Sequence, residues 1–181
     1  MGKLYAIIGS SGSGKTTVGN YVFGKNRELI STTTRQPRRN EVNGKHYYFI
    51  FKSQFRYKMD RGEFAEYDFY DGHYYALSRE EINSKLDQGD AYVVITYKGY
   101  LQLKQIVPEI VSIFIETSKE HAEAMLKCRG DNDIQSRLLM FEDEQKLKHK
   151  CDYIVYNEFG NLEKTLSDVI KIKKQHEMNN L

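Results

Sequence analysis

The sequence contains no tryptophan, only two cysteines and almost no net charge. Cys128 and Cys151 lack metal-ligand spacing and any partner pattern. This argues against a disulfide framework or a zinc cluster and reads both as reduced thiols. The 27 Lys and Arg against 25 Asp and Glu leave a charge of +2, so no bulk polycation calls for a nucleic acid polymer. No apolar run is long enough to span a membrane, and the chain opens on a strand-like segment rather than a secretory leader. Repeats and low-complexity linkers are also lacking. The expectation is a cytoplasmic protein without membrane partners, with 181 residues suiting one domain of ordinary size.

What is present is concentrated in a few segments. Residues Gly9, Ser10, Ser11, Gly12, Ser13, Gly14, Lys15 and Thr16 fit the phosphate-loop pattern G-x-x-x-x-G-K-[ST]. An apolar run, Leu4 to Ile8, precedes them as a buried strand, and Thr17 to Phe23 can open a helix. A chance match in a chain of this length has a probability of roughly one per cent or less. Successive backbone N–H groups and a helix N-terminus can wrap nucleotide phosphates. Lys15 reaches the β- and γ-phosphates and the Thr16 hydroxyl ligates Mg²⁺ in that reading.

Strands are expected near residues 4–8, 47–51, 64–69, 92–95, 110–115 and 153–156. Helices are expected after Thr16 and near 53–61, 79–88, 119–127, 134–149 and 162–173. Such alternation predicts an α/β fold with a parallel sheet flanked by helices. The tyrosine-rich stretch from His46 to Tyr75 reads as a small mixed β insertion, with hairpin turns at Asn43-Gly44 and Asp71-Gly72. The charged tail from Lys171 is expected to fray.

A second anion site is suggested by Ser31-Thr-Thr-Thr-Arg35-Gln-Pro37-Arg38-Arg39, which sets guanidinium forks around a rigid proline. The sequence resembles guanylate kinases, of the nucleoside monophosphate kinase group. The similarity rests on the phosphate loop, the block from Ser31 to Arg38, Glu41-Val-Asn-Gly-Lys-His-Tyr-Tyr-Phe, Gly62-Glu-Phe-Ala-Glu66, Gly72-His-Tyr-Tyr75, Arg129-Gly130 with Arg137, and Asp152 to Asn157. The resemblance implies a P-loop kinase core at about 1–32 and 79–181, an acceptor-binding β lobe at about 33–78 and a helical lid at about 120–145, together a single domain.

By the same resemblance, ATP and Mg²⁺ bind through Gly9 to Thr17, with Asn157 near the adenine and Arg129 and Arg137 meeting the ATP phosphates. Arg35, Arg38, Tyr47 and Tyr75 hold the phosphate of GMP, Ser31 donates to guanine O6, and Glu66 reads the base. The chemistry agrees: guanine offers N1–H and an amino group side by side, and a carboxylate accepts both. Lys15, Arg35, Arg129 and Arg137 are the expected catalytic cations, and no general base is needed because the acceptor phosphate has a second pKa of about 6. The expected partners are ATP and GMP, the expected state a monomer or homodimer.

Two stretches depart from the family pattern. Val94 and Thr96 stand where the family carries strand acids, and Asp90 lies at the wrong end of that strand to replace them. Tyr75-Ala76-Leu77-Ser78 places its hydroxyl one residue later than the family, which reverses its face on a strand. The leading reading is an ATP:GMP phosphotransferase of reduced rate. A related kinase for another phosphorylated acceptor and a catalytically weak nucleotide- or protein-binding module are the alternatives.

Overall fold

The computed structural model describes residues 2–131 and 134–178. Its elements run β1 (Leu4–Ile8), α1 (Lys15–Phe23), β2 (Thr32–Thr33), β3 (Tyr48–Phe49), α2 (Lys52–Asp60), β4 (Phe64–Tyr70), β5 (His73–Ser78), α3 (Arg79–Asp87), β6 (Ala91–Val94), α4 (Tyr97–Ile106), β7 (Val111–Glu116), α5 (Lys119–Arg129), α6 (Ile134–Leu139), α7 (Phe141–Gln145), β8 (Tyr153–Tyr156) and α8 (Leu162–Met178). One four-stranded sheet has the order β6-β1-β7-β8, with β7 and β8 parallel. A second, mixed sheet has the order β3-β2-β5-β4. The fold is therefore α/β, a parallel sheet flanked by helices plus a smaller mixed sheet. By contacts the chain forms two compact units: Met1–Ala6 with Arg27–Val111, and Ile7–Asn26 with Ser112–Leu181.

In the first unit, β4 and β5 form a hairpin closed by Asp71 (φ 49) and Gly72 (φ 78). Two positive φ angles are what a two-residue turn needs to match strand twist, which is why Asp-Gly signals it. Against expectation, Asn43-Gly44 closes no hairpin: the strand after it, β3, is only Tyr48–Phe49 and pairs parallel with β2. The threonine run explains that edge. Thr33 Oγ1 donates to the Tyr74 carbonyl (3.0 Å) and accepts the Arg35 N–H (3.1 Å), while Thr34 Oγ1 accepts the Tyr74 N–H (3.0 Å).

β4 changes face partway. Phe64 pairs with Ser78 but Glu66 pairs with Leu77, so two steps on β4 match one on β5. Such a bulge re-aims the side chains beyond it. Phe64 therefore packs with Phe55 and Ala76 beneath α2, and Glu66 and Asp68 turn to the opposite face, which α4 covers. Helix α4 is not among the expected elements. It starts where Thr96 caps it, Oγ1 accepting the Gly99 N–H at 3.1 Å.

In the second unit, α8 lays Thr165, Val169 and Ile172 inward and packs on α1 and β8. The single helix expected over 134–149 is broken into α6, α7 and a short 3₁₀ turn at Lys148–Lys150. No helix among the described residues is long and apolar enough to cross a membrane.

Candidate active site

The phosphate loop lies in the second unit, where β1 ends. Gly9, Gly12 and Gly14 adopt φ of 145, 86 and 90, angles that side chains disfavour. Each also stands where a Cβ would collide: 2.5 Å from the Ile115 carbonyl for Gly9, 2.5 Å from the Ala122 carbonyl for Gly12, 2.6 Å from Asn157 Nδ2 for Gly14. Ser13 N–H closes the loop on the Ser10 carbonyl (3.1 Å). Lys15 curls back and donates to the carbonyls of Gly9 (2.6 Å) and Ser10 (2.8 Å). Burial pulls its amine down to about 8; Glu144 works against that, and the charges of Arg129 and Arg137 add to it.

Arg137 is buried and donates to Ser11 Oγ (3.0 Å), so α6 reaches the loop. Arg129 donates through Nε to Asp131 Oδ1 (2.8 Å), and Arg137 Nε lies 3.7 Å from Asp131 Oδ2. Asp131 thus gathers the two arginines, a role the sequence reading missed; its position just after Arg129-Gly130 was the available signal. Gln145, also unforeseen, donates to Ser10 Oγ (3.1 Å). Asn157 is buried behind the loop. Its Nδ2 donates to the Ser13 carbonyl (2.9 Å) and its Oδ1 accepts from Thr165 Oγ1 (3.2 Å). Thr16 and Thr17 are exposed in the first turn of α1.

These residues suit a polyphosphate. Ser13 Oγ is buried with no partner among the described residues, and α1 carries neither a side-chain cap nor an acid in its first turn. Among the described residues no side chain caps the first N–H groups and positive dipole end of α1, which suits that end to an anion. Among the described residues no three His, Cys, Asp or Glu gather to hold a metal, so Thr16 remains the candidate protein ligand for Mg²⁺.

The remaining candidates lie in the first unit and fall in two groups. Arg35 NH2 pairs with Glu41 Oε1 (2.9 Å), and its guanidinium stands 5.4 Å from the Tyr47 ring centroid and 5.7 Å from that of Phe49. Tyr47 meets Tyr75 edge-on at 6.0 Å, and burial pushes the Tyr47 phenol up to about 12, so it stays a donor. Arg38 gives its backbone N–H to Glu41 Oε2 (2.8 Å) and brings NH1 within 3.7 Å of Oε1. Burial works against the Glu41 charge, but Arg35 and Arg38 outweigh it and hold the carboxyl below its ordinary range. Arg35 and Arg38 thus meet on a carboxylate, the anion of this chain's own Glu41, while Tyr47 and Tyr75 stand beside Arg35. Ser31 receives the Tyr48 N–H on its carbonyl (2.9 Å).

The second group lies under the first turn of α4. Glu66 is 4% exposed and accepts the Leu77 N–H; burial and then the Asp68 charge raise its carboxyl to about 8. Gly99 crosses so close that a Cβ there would lie 2.7 Å from Glu66 Oε2. Asp68, two residues on and on the same face, is also buried. Its Oδ2 accepts from Thr96 Oγ1 (2.8 Å), and its Oδ1 accepts from Lys98 Nζ (2.7 Å) and the Phe69 N–H (2.8 Å). The sequence reading passed over Asp68, although its spacing from Glu66 places both on one strand face. Ser78 caps α3, accepting the Glu81 N–H (3.1 Å), and Asp90 accepts the Lys3 N–H (2.8 Å) at the far end of β6. Both lie apart from the acids.

The two groups share one sheet. Tyr75 is the register partner of both Thr33 and Asp68, so the anion group and the acid group are neighbouring rows of β2, β5 and β4.

Known proteins match this arrangement over nearly its whole length. The family model described as guanylate kinase matches residues 1–176. The guanylate kinase of Clostridioides difficile (strain 630) is 33% identical over 165 residues, 87% of this chain and 80% of its own. A guanylate kinase of Thermus thermophilus is 37% identical over 178 residues, 94% of this chain and 80% of its own. The crystal structure of guanylate kinase from Anaplasma phagocytophilum superposes with a TM-score of 0.79 at 28% identity, covering 98% of this chain and 87% of that one. With a phosphate loop in one unit, an arginine–tyrosine anion group and a buried acid in the other, and these relatives spanning both, the chain belongs to the guanylate kinase family.

Proposed function

We propose that the protein transfers the γ-phosphoryl group of ATP to GMP or dGMP, giving ADP and the corresponding diphosphate. The observation that carries the acceptor assignment is Glu66, a buried carboxylate whose one backbone partner, Leu77 N–H, leaves both oxygens with acceptor capacity. Guanine supplies matching donors at N1 and the 2-amino group, whereas adenine has no such pair and would leave the carboxylate unmet at a cost of a few kcal/mol.

In this reading the loop from Gly9 to Thr17 and the first turn of α1 receive the ATP phosphates, with Lys15, Arg129 and Arg137 supplying positive charge and Asn157 fixing the loop from behind. Thr16 would hold Mg²⁺, an ion that favours oxygen donors and would neutralise phosphate charge. The GMP phosphate takes the place of the Glu41 carboxylate on Arg35 and Arg38 and receives hydrogen bonds from Tyr47 and Tyr75, while Ser31 donates to O6. The acceptor is a dianion above about pH 6, so no side chain must remove a proton. What the chain contributes is orientation and stabilisation of charge on the transferred group. Segment 33–78 serves as the acceptor lobe and segment 120–145 as the lid, and we place the protein in the cytoplasm.

The test is a coupled measurement of ADP release with ATP, Mg²⁺ and one of GMP, dGMP, AMP, UMP or CMP. GMP or dGMP should be turned over at the highest kcat/KM. A preference for another base removes the assignment, and tight nucleotide binding without turnover identifies a binding module instead.

A further inference from the structure

We propose that Asp68 is a specificity-determining residue that accepts the second hydrogen of guanine's 2-amino group, beside Glu66. The inference rests on GMP as the acceptor and goes beyond it in naming a second base-reading carboxylate.

Guanine presents three N–H bonds along one edge: one at N1 and two on the 2-amino nitrogen. A carboxylate lying on N1–H and the nearer amino hydrogen takes two of them. The third points along the edge and needs its own acceptor. On β4 the bulge before Glu66 turns Glu66 and Asp68 to the same face, and residues two apart on one strand face lie side by side. Both are buried, at 4% and 7% exposure.

The hydrogen bonds of Asp68 leave it suited to this task. Its Oδ1 is saturated by Lys98 Nζ and the Phe69 N–H. Among the described residues its Oδ2 accepts only Thr96 Oγ1, which leaves one lone pair of a charged acceptor. Thr96 is oriented in turn, because the same hydroxyl oxygen accepts the Gly99 N–H and caps α4. Lys98 pairs with Asp68 and compensates part of its charge. Gly99 keeps the space beside Glu66 Oε2 free of a side chain. The alternative role is a brace that merely anchors α4 through Thr96.

The experiment compares kcat/KM for GMP and for IMP, which is GMP without the 2-amino group, in the wild type, Asp68→Ala and Asp68→Asn, with melting temperatures alongside. Loss of a hydrogen bond to a charged group should lower kcat/KM for GMP relative to IMP in Asp68→Ala. Removing the Asp68 charge also favours ionised Glu66, which serves the N1–H of both nucleotides alike, so the reading is the GMP-over-IMP ratio of kcat/KM, which should shrink by about tenfold or more. Asp68→Asn retains an oxygen and should recover part of that ratio. If Asp68→Ala does not fold at the assay temperature, Asp68→Asn carries the comparison, with a smaller fall in the same ratio. An unchanged ratio overturns the proposal in favour of the brace, while a wild-type preference for GMP leaves the acceptor assignment standing. A wild-type preference for AMP overturns both.

Discussion

Protonation of Glu66 should govern GMP binding near neutral pH. Burial first, and then the charge of Asp68, raises this carboxyl from 4.5 to about 8, with the Leu77 N–H pulling the other way. A carboxylic acid carries a proton where guanine N1–H needs an acceptor, so only the ionised fraction is competent. The apparent dissociation constant is the intrinsic one divided by that fraction. With a pKa of about 8, roughly a tenth of the protein is competent at pH 7 and about three quarters at pH 8.5. GMP affinity should therefore rise about eightfold over that interval and then level off. The acceptor phosphate, with its second pKa of about 6, is already mostly dianionic throughout. Isothermal titration of GMP at several pH values reads the effect directly, and Glu66→Gln should bind weakly with little pH dependence. The same group sets a stability trend of opposite sign. Its folded pKa lies above its unfolded value, so its contribution is fully present below about pH 4.5 and is lost as pH rises through about 8. A GMP affinity that stays flat between pH 7 and 8.5 in the wild type, or rises equally in Glu66→Gln, would refute the reasoning.

Three further outcomes follow from particular contacts. Lys15→Ala removes the ammonium that the loop carbonyls hold and should lower kcat by about 100-fold or more in the coupled assay; an unchanged rate removes Lys15 from the chemistry. Arg35→Ala or Arg38→Ala uncovers Glu41 and should raise the KM for GMP at least about tenfold more than the KM for ATP, whereas equal changes would indicate a folding defect. Thr96→Asp would set a second carboxylate where Oγ1 now lies 2.8 Å from Asp68 Oδ2, so alone it should lower the melting temperature by several degrees. Combined with Asp68→Ala it should recover most of that loss; an equally destabilised double variant would show that the two positions are not coupled.

The sequence by itself determined what is local. The phosphate loop is eight consecutive residues whose glycine angles and lysine position are properties of that stretch, and strands such as Leu4–Ile8 announce themselves as apolar runs. The Asp71-Gly72 turn was legible because two adjacent residues carry its whole conformational requirement. Arg35 and Arg38, with their anion chemistry, were legible for the same reason. Tertiary structure decided what depends on pairing between distant segments. The two-residue strand β2 is set by its pairing with β3 and β5, to which Thr33 and Thr34 add side-chain bonds to Tyr74, and the parallel pairing of β3 with β2 stands in place of the hairpin expected at Asn43-Gly44. Glu41 became the partner of both arginines, and Asp131 the tie between Arg129 and Arg137, through side-chain geometry that spacing alone does not specify. Where the resemblance leads one to expect strand acids, the chain has Val94 and Thr96, and Thr96 caps α4. A bulge between Phe64 and Glu66 reverses the strand's alternation and brings Asp68 to the Thr96 hydroxyl, so a carboxylate missing from one strand stands on another. A one-residue change of register turns every following side chain to the other face, and only the assembled sheet fixes that register.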